Sequence, residues 1–209
     1  MNEKLEWSGT LLGVQPRIRL TRSFDQRSHT YLGFVLLVDG ELDGVQRQFL
    51  VAIGKAVQAK HQFSAGDRVL GKGVRVPDPR METADLYKAS GLKVLERPEE
   101  ESPASPPFGG VAPALEVYRE RGHRRLAART YASKCTSCTW GCEMPAEMII
   151  DHWNPDVRRY RMETFCYGPK SCALYRAGPT RGVPGRKGMS YEEEDWVDED
   201  ATGHRDLDD

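Results

Sequence analysis

The sequence has no long hydrophobic run. Its longest apolar stretches, residues 34–38 and 49–53, have the length of single strands, well below the roughly 20 residues that a membrane-spanning helix needs. The first seven residues are charged and contain no apolar segment of the kind found in secretory signals. No glycine-rich dinucleotide motif or Walker loop is present among the 209 residues. These absences predict a cytoplasmic protein without a membrane partner.

The chain also has little net charge, but that charge is unevenly distributed. The formal net charge is -1 overall, with 0 in residues 1–118, +8 in residues 119–189 and -9 in residues 190–209. A basic block beside an acidic tail predicts a polyanionic partner. Two other interpretations remain open: the tail pairs with the block of the same chain, or it docks a protein partner.

Residues 1–97 have the pattern of an all-β unit. In residues 14–22, Val14, Ile18 and Leu20 alternate with polar side chains, as in a half-buried strand. Further strands are predicted at residues 31–38, 45–53, 68–76 and 91–95, and a short helix at residues 55–62. Three strands, a helix and two strands resemble an OB-fold barrel. The expected fold class is mainly β with short helices: a five-stranded OB-like barrel followed by a small cysteine-rich metal-binding module.

The rest of the chain divides by composition. Residues 98–113, rich in Pro, Glu and Ser, predict a linker. Residues 114–189 predict a helix, interrupted at Gly122, followed by a cysteine-rich hairpin module. In the acidic C-terminal tail, residues 190–209, Ser190 and Glu193 match a capping box and predict a helix that starts there.

All five cysteines lie within residues 135–172, at spacings typical of metal sites. Two thiolates two residues apart can surround one cation, and a hairpin can return a second pair to the same ion. The pattern predicts a structural zinc site that resembles a zinc ribbon, and an iron–sulfur cluster, which also uses four thiolates, is the alternative cofactor. The candidate ligands are Cys135, Cys138, Cys166 and Cys172, with Cys142 as an alternate ligand.

Two resemblances extend this interpretation. Asp151-His152, between the cysteine pairs, resembles the HNH-type nucleases, which implies that Asp151 helps to hold a divalent metal and that His152 activates water. A metal-dependent nuclease is therefore an alternative function. The chain as a whole resembles an uncharacterised bacterial family with an OB-fold-like N-terminal barrel and a zinc-ribbon-like cysteine cluster, a resemblance that implies no activity.

Arginines interleaved with aromatic residues suit phosphate contact combined with base stacking. The sequence therefore predicts a non-enzymatic protein that binds RNA or single-stranded DNA, with a protein-interaction adaptor as a further alternative. The candidate nucleic-acid-binding residues are Arg17, Arg19, Arg22, Tyr31, Arg124, Arg125, Arg158, Arg159 and Arg161.

Overall fold

The first strand is long enough to belong to both halves of one sheet. In this computed structural model, which describes residues 3–23, 26–99 and 105–209, β1 (Leu5–Arg22) pairs antiparallel with β2 (Arg27–Leu42) over nearly its whole length. The strand predicted over residues 14–22 thus extends back to Leu5. Because β1 has 18 residues, its two ends are free to pair with different strands on the opposite edge.

Five strands close into a ring. β3 (Val45–Ile53) pairs with β2 and runs parallel to β5 (Leu86–Glu96), while β4 (Arg68–Arg75) joins β5 to the first half of β1. The only helix between β3 and β4 among the described residues is α1 (Lys55–His61). The predicted mainly β fold with short helices is confirmed, and so is the position of this helix.

The second half of the chain extends the same sheet. The end of β1 runs parallel to β7 (Gly141–Ile149), which pairs with β8 (Arg158–Cys166), and the two-residue β6 (Arg124–Arg125) forms the far edge. β7 and β8 form the predicted hairpin. The hairpin is therefore anchored to the ring through backbone hydrogen bonds to β1.

Short helical segments connect these strands. The helix predicted over residues 115–131 ends early, as α2 (Leu115–Arg121), because Gly122 has a φ of +67°, a conformation that favours glycine. The chain becomes helical again at α3 (Ala128–Thr130), which continues into a π-helical turn, Tyr131–Cys135.

The acidic tail is ordered by pairing rather than by a capping box. Ser190–Glu193 forms β10, which pairs with β9 (Arg181–Pro184), and α4 (Trp196–Thr202) begins three residues later. The predicted helix start at Ser190 is therefore wrong. The basic and Gly-rich segment before it offers a strand partner, and pairing with that strand outweighs the local capping preference.

One core unites the two halves. Trp7 and Phe49 of the ring and Tyr118 and Tyr167 of the later segment belong to the same buried cluster, each at most 3% exposed. The proposed division at residues 98–113, partly outside the described residues, stays a prediction about folding units. In the described parts of the chain, no helix is long and apolar enough to cross a membrane.

Candidate nucleic-acid interface

The cysteines occupy two separate places. Cys142 lies on β7, fully buried, and its thiol donates a hydrogen bond to the carbonyl oxygen of Pro16 at 3.3 Å. The other four border one small apolar cavity that Leu126 and Trp140 also line. These four are Cys135, Cys138, Cys166 and Cys172.

The prediction of a zinc site, with an iron–sulfur cluster as its alternative, is wrong. Among the described residues, no group of three or more His, Cys, Asp or Glu side chains is placed to hold a metal ion. Burial in apolar surroundings raises the pKa of Cys135 to about 12 and also raises the pKa values of Cys138 and Cys166. Burial therefore favours the protonated thiol at these three positions, whereas a metal ligand must be a thiolate. The cysteines serve instead as small apolar side chains.

A buried glutamine fixes the turn that carries the first two of these cysteines. The side-chain nitrogen of Gln15 donates to the carbonyl oxygens of Cys135, at 2.7 Å, and Cys138, at 2.9 Å. Its side-chain oxygen accepts a hydrogen bond from the hydroxyl of Tyr131 at 2.8 Å. A side chain of β1 thus stabilises the cysteine-rich turn directly.

Two predicted nucleic-acid-binding arginines on β1 bind the loop between β4 and β5. Nε of Arg17 lies 2.9 Å and 3.0 Å from the two carboxylate oxygens of Glu82. Arg19 donates a hydrogen bond to the carbonyl oxygen of Met81 at 3.1 Å. Both arginines fasten this loop to the strand.

Arg22 and Arg161 belong to a network around two buried glutamates. Glu163 accepts hydrogen bonds from Arg161 and Arg181, each at 2.7 Å, and lies 3.9 Å from Arg22. Glu193 forms an ion pair with Arg22. Burial opposes ionisation of Glu163, but Arg22, Arg181 and Arg161 outweigh it and hold the pKa of Glu163 below its usual value.

Arg124 and Arg125 on β6 have different surroundings. The guanidinium of Arg124 lies 3.9 Å from the ring centroid of Tyr175 and donates a hydrogen bond to a backbone carbonyl at 2.8 Å. Arg125 is buried and pairs with Asp195 and Asp198 of the acidic tail. Neither guanidinium is exposed as a binding group for a polyanion.

The pairing of tail with basic block, one of the interpretations left open by the charge pattern, is present in the structure. Besides the pairs of Arg125 with Asp195 and Asp198, Asp209 lies 3.2 Å from Arg121, while Glu193 pairs with Arg22 outside the block. Tyr31 is also covered, because the guanidinium of Arg119 lies 4.8 Å from its ring centroid. Most of the predicted nucleic-acid-binding residues therefore have contact partners within the chain, and their role in nucleic-acid binding stays a prediction.

The tip of the β7–β8 hairpin differs from these positions. Trp153 is 80% exposed, yet its backbone is fixed. The backbone N–H of Trp153 donates a hydrogen bond to a carboxylate oxygen of Asp151 at 3.0 Å. The backbone carbonyl of Asp151 accepts a hydrogen bond from the backbone N–H of Asn154 at 3.1 Å. Arg158 closes the loop with a hydrogen bond from Nε to the carbonyl of Pro155 at 2.6 Å. An ordered turn thus holds an indole ring in solvent.

Basic side chains lie on the same turn or contact it. Arg158 also forms an ion pair with Glu147, while Arg159 is exposed and has no side-chain partner among the described residues. Arg186, in the turn before β10, lies 3.5 Å from Asp151. Of the nine predicted nucleic-acid-binding residues, Arg158 and Arg159 are the two exposed at this tip.

The same turn contains the dipeptide that resembles HNH-type nucleases. The carboxylate of Asp151 is occupied by the N–H of Trp153 and by Arg186. Neither Asp151 nor His152 belongs to a group of metal-holding side chains in the described residues. The nuclease alternative therefore gains no site from the structure.

Comparison with protein-family models, with curated proteins and with solved structures finds no match for this chain. The candidate interface therefore has to be argued from the chemistry of its own residues.

Two functional candidates escaped the sequence analysis. Trp153 is not among the predicted site residues, although its position directly before Asn154-Pro155 marks it as a turn residue. Glu193 was assigned to a helix cap, and no local signal indicates that it pairs with Arg22.

Proposed function

We propose that this protein binds single-stranded nucleic acid, RNA or single-stranded DNA, at the tip of the β7–β8 hairpin. The observation that carries the proposal is Trp153, which is 80% exposed on a turn fixed by its own hydrogen bonds. A large exposed apolar ring costs free energy in water, so a rigid turn that displays one favours a binding role. Bases stack on such rings regardless of sequence.

The charges around Trp153 suit phosphates better than apolar protein surfaces. Arg159 has no carboxylate partner among the described residues, and Lys187 is exposed next to Arg186. Arginine matches the geometry of a phosphate group through two parallel hydrogen bonds. A strand stacked on Trp153 has these cations within reach of its backbone.

The ring of five strands supports the same function. We take it to be an OB-type barrel, because the strand order 1-2-3-5-4-1 and the helix between the third and fourth strands are those of that fold. OB-folds bind oligonucleotides beside the loop between strands 4 and 5. Here Arg80 of that loop lies 5.0 Å from the ring centroid of Tyr160 on β8, so the loop and the hairpin form one continuous surface.

Fluorescence anisotropy with labelled oligo(dT) and oligo(U) tests this proposal. Stacking on an aromatic side chain contributes about 1–3 kcal/mol per base, so Trp153→Ala is expected to weaken binding about 5- to 150-fold. Arg159→Ala is expected to reduce the slope of log K against log salt by about 0.7, the value for one phosphate contact on a single strand.

Matched controls test whether the loss of any exposed apolar or basic side chain would weaken binding equally. Leu207→Ala removes an exposed apolar side chain near the C-terminus, and Arg47→Ala removes an exposed arginine on β3. Both controls are expected to bind like the wild type. If Trp153→Ala binds both oligonucleotides as tightly as the wild type, the proposal is wrong, and a protein-interaction role for the tip becomes the better hypothesis.

A further inference from the structure

A cavity of about 360 Å³ separates the β1–β2 turn from the C-terminal segment. Arg22 and Arg27 line one side, and Tyr191, Glu193 and Trp196 line the other. The volume lies within the range of small-molecule sites, which are typically apolar with a few polar groups. The residues that line it do not include Trp153, Arg158 or Arg159 of the hairpin tip.

Arg22 has hydrogen-bonding capacity that the described residues do not satisfy. Only 3% of its surface is exposed. Nη2 bonds Glu193, but the buried Nε and Nη1 have no hydrogen-bond partner among the described residues. A buried charged donor without an acceptor is costly. Because Arg22 lines the cavity, an anionic group bound there would supply the missing acceptor.

The charge balance around Arg22 favours an anion. Four guanidinium groups share the two carboxylates of Glu163 and Glu193 through ion pairs. The cations are those of Arg22, Arg27, Arg161 and Arg181. Even with Asp200, which also lines the cavity, cations outnumber anions. A phosphate group matches this surplus, since arginine binds phosphates through two parallel hydrogen bonds.

The opposite wall suits a planar ring. Trp196 is 52% exposed and Tyr191 38% exposed, although both line the cavity. Nε1 of Trp196 donates a hydrogen bond to Glu194 at 2.8 Å, which fixes the orientation of the indole. Val183 and Val197 add buried apolar surface. A flat ring can therefore lie against an aromatic wall while an attached anion faces Arg22.

We propose that this cavity is a binding site for a nucleoside monophosphate, with its phosphate beside the guanidinium of Arg22 and its base against Trp196. Arg27, whose Nη1 lies 2.6 Å from Glu193, can turn toward the same phosphate. The phosphorylated 5′ end of a nucleic acid presents the same chemistry as a free nucleotide.

Isothermal titration calorimetry with the full chain tests the site. AMP and UMP are expected to bind, whereas adenosine and inorganic phosphate, each with half of the required chemistry, are expected to bind at least tenfold more weakly. A 5′-phosphorylated oligonucleotide that binds more tightly than its unphosphorylated form would assign the site to strand ends. If AMP and UMP bind but the 5′ phosphate does not change oligonucleotide affinity, the site is assigned to free nucleotides.

Variants identify the groups that bind the ligand. Trp196→Ala is expected to weaken AMP binding about 5-fold or more, as for lost base stacking, and Arg27→Gln to weaken it as well. Both side chains are partly exposed, so these variants are expected to fold even if Arg22→Met does not. Arg47→Gln, at an exposed arginine on β3 that does not line the cavity, is the matched control and should bind AMP like the wild type.

Three results would overturn the proposal. The first is the absence of binding by both AMP and UMP, and the second is equal AMP binding by the wild type, Trp196→Ala and Arg27→Gln. If inorganic phosphate binds as tightly as AMP, the site is a simple anion site, which also contradicts the assignment. Because oligonucleotide binding is tested through Trp153, failure of either proposal leaves the other intact.

Discussion

Glu193, near the start of the acidic tail, forms an ion pair with Arg22, which lies 171 residues earlier at the end of β1. Both side chains are nearly buried, at 7% and 3% exposure. The same carboxylate accepts a hydrogen bond from Arg27 at 2.6 Å. The pair links the C-terminal segment to the first strand of the ring, and it gives the tail a structural role.

Loss of this carboxylate is expected to destabilise the fold. Glu193→Gln should lower the free energy of unfolding by about 3 kcal/mol, because removing one partner leaves the other as an uncompensated buried charge. Urea denaturation measures the change. The exposed Glu192→Gln on the same strand is the control and should unfold like the wild type. Equal stability of the two variants would show that the pair is dispensable.

Truncation after Met189 tests the hypothesis that the tail competes with nucleic acid. That hypothesis predicts tighter binding at low salt, but the truncation also removes α4 and the buried Val197 and Arg205. We therefore expect the truncated protein to have a lower melting temperature than the wild type, whether or not its affinity for nucleic acid rises. Truncated protein that melts like the wild type would contradict the structural role of the tail.

Two neighbouring buried histidines are expected to make stability depend on pH. The rings of His29 and His123 lie 4.5 Å apart. Burial, with help from Arg27 and Arg22, lowers the pKa of His29 to about 4, and burial also lowers the pKa of His123. The unfolded chain, with histidine pKa values near 6.5, binds more protons than the folded chain between about pH 6.5 and 4. Stability should therefore be fully present above pH 6.5 and fall as the pH drops toward 4.

Acidification from about pH 6.5 to 4 is expected to cost about 3 kcal/mol through His29 by this linkage. Urea unfolding at a series of pH values measures it, with His29→Gln expected to flatten the curve. His204→Gln, at an exposed position, should keep the wild-type pH dependence. A His29→Gln curve as steep as that of the wild type would exclude this histidine as the cause.

Alanine substitutions at Gly122 and Gly44 distinguish the free-energy cost of overpacking from the cost of backbone strain. Both have left-handed φ values, +67° and +79°, but a Cβ at Gly122 would meet the backbone of Ala201 on α4, whereas one at Gly44 meets nothing within 4 Å. Gly44→Ala should cost about 1–2 kcal/mol, the strain alone. Gly122→Ala should cost about 1–3 kcal/mol more through overpacking. Equal losses on thermal unfolding would mean that α4 does not pack there.

Treatment with a metal chelator tests the corrected view of the cysteines. Because the thiols of Cys135, Cys138 and Cys166 are buried, which favours their protonated form, EDTA is expected to leave the melting temperature unchanged. Differential scanning calorimetry before and after dialysis provides the measurement. A clear drop in the melting temperature would contradict the assignment of these side chains to an apolar cluster.

The sequence by itself determined the local elements. Alternation in residues 14–22, the helix at residues 55–62 and the break at Gly122 all depend on neighbours a few residues away, so their patterns could be interpreted correctly. The bounds of β3 agree with the prediction at both ends, because a turn precedes this strand and Gly54 follows it.

Tertiary structure alone decided which chemical groups meet. The spacing of Cys135 and Cys138 is compatible with a metal knuckle or with a buried turn, and apolar surroundings contributed by distant segments decided in favour of the turn. Arg22 and Arg125 resemble free cations in sequence, but their carboxylate partners lie 171 and 73 residues away. The burial and charge environment of a side chain depends on such distant contacts, which local residue patterns do not specify.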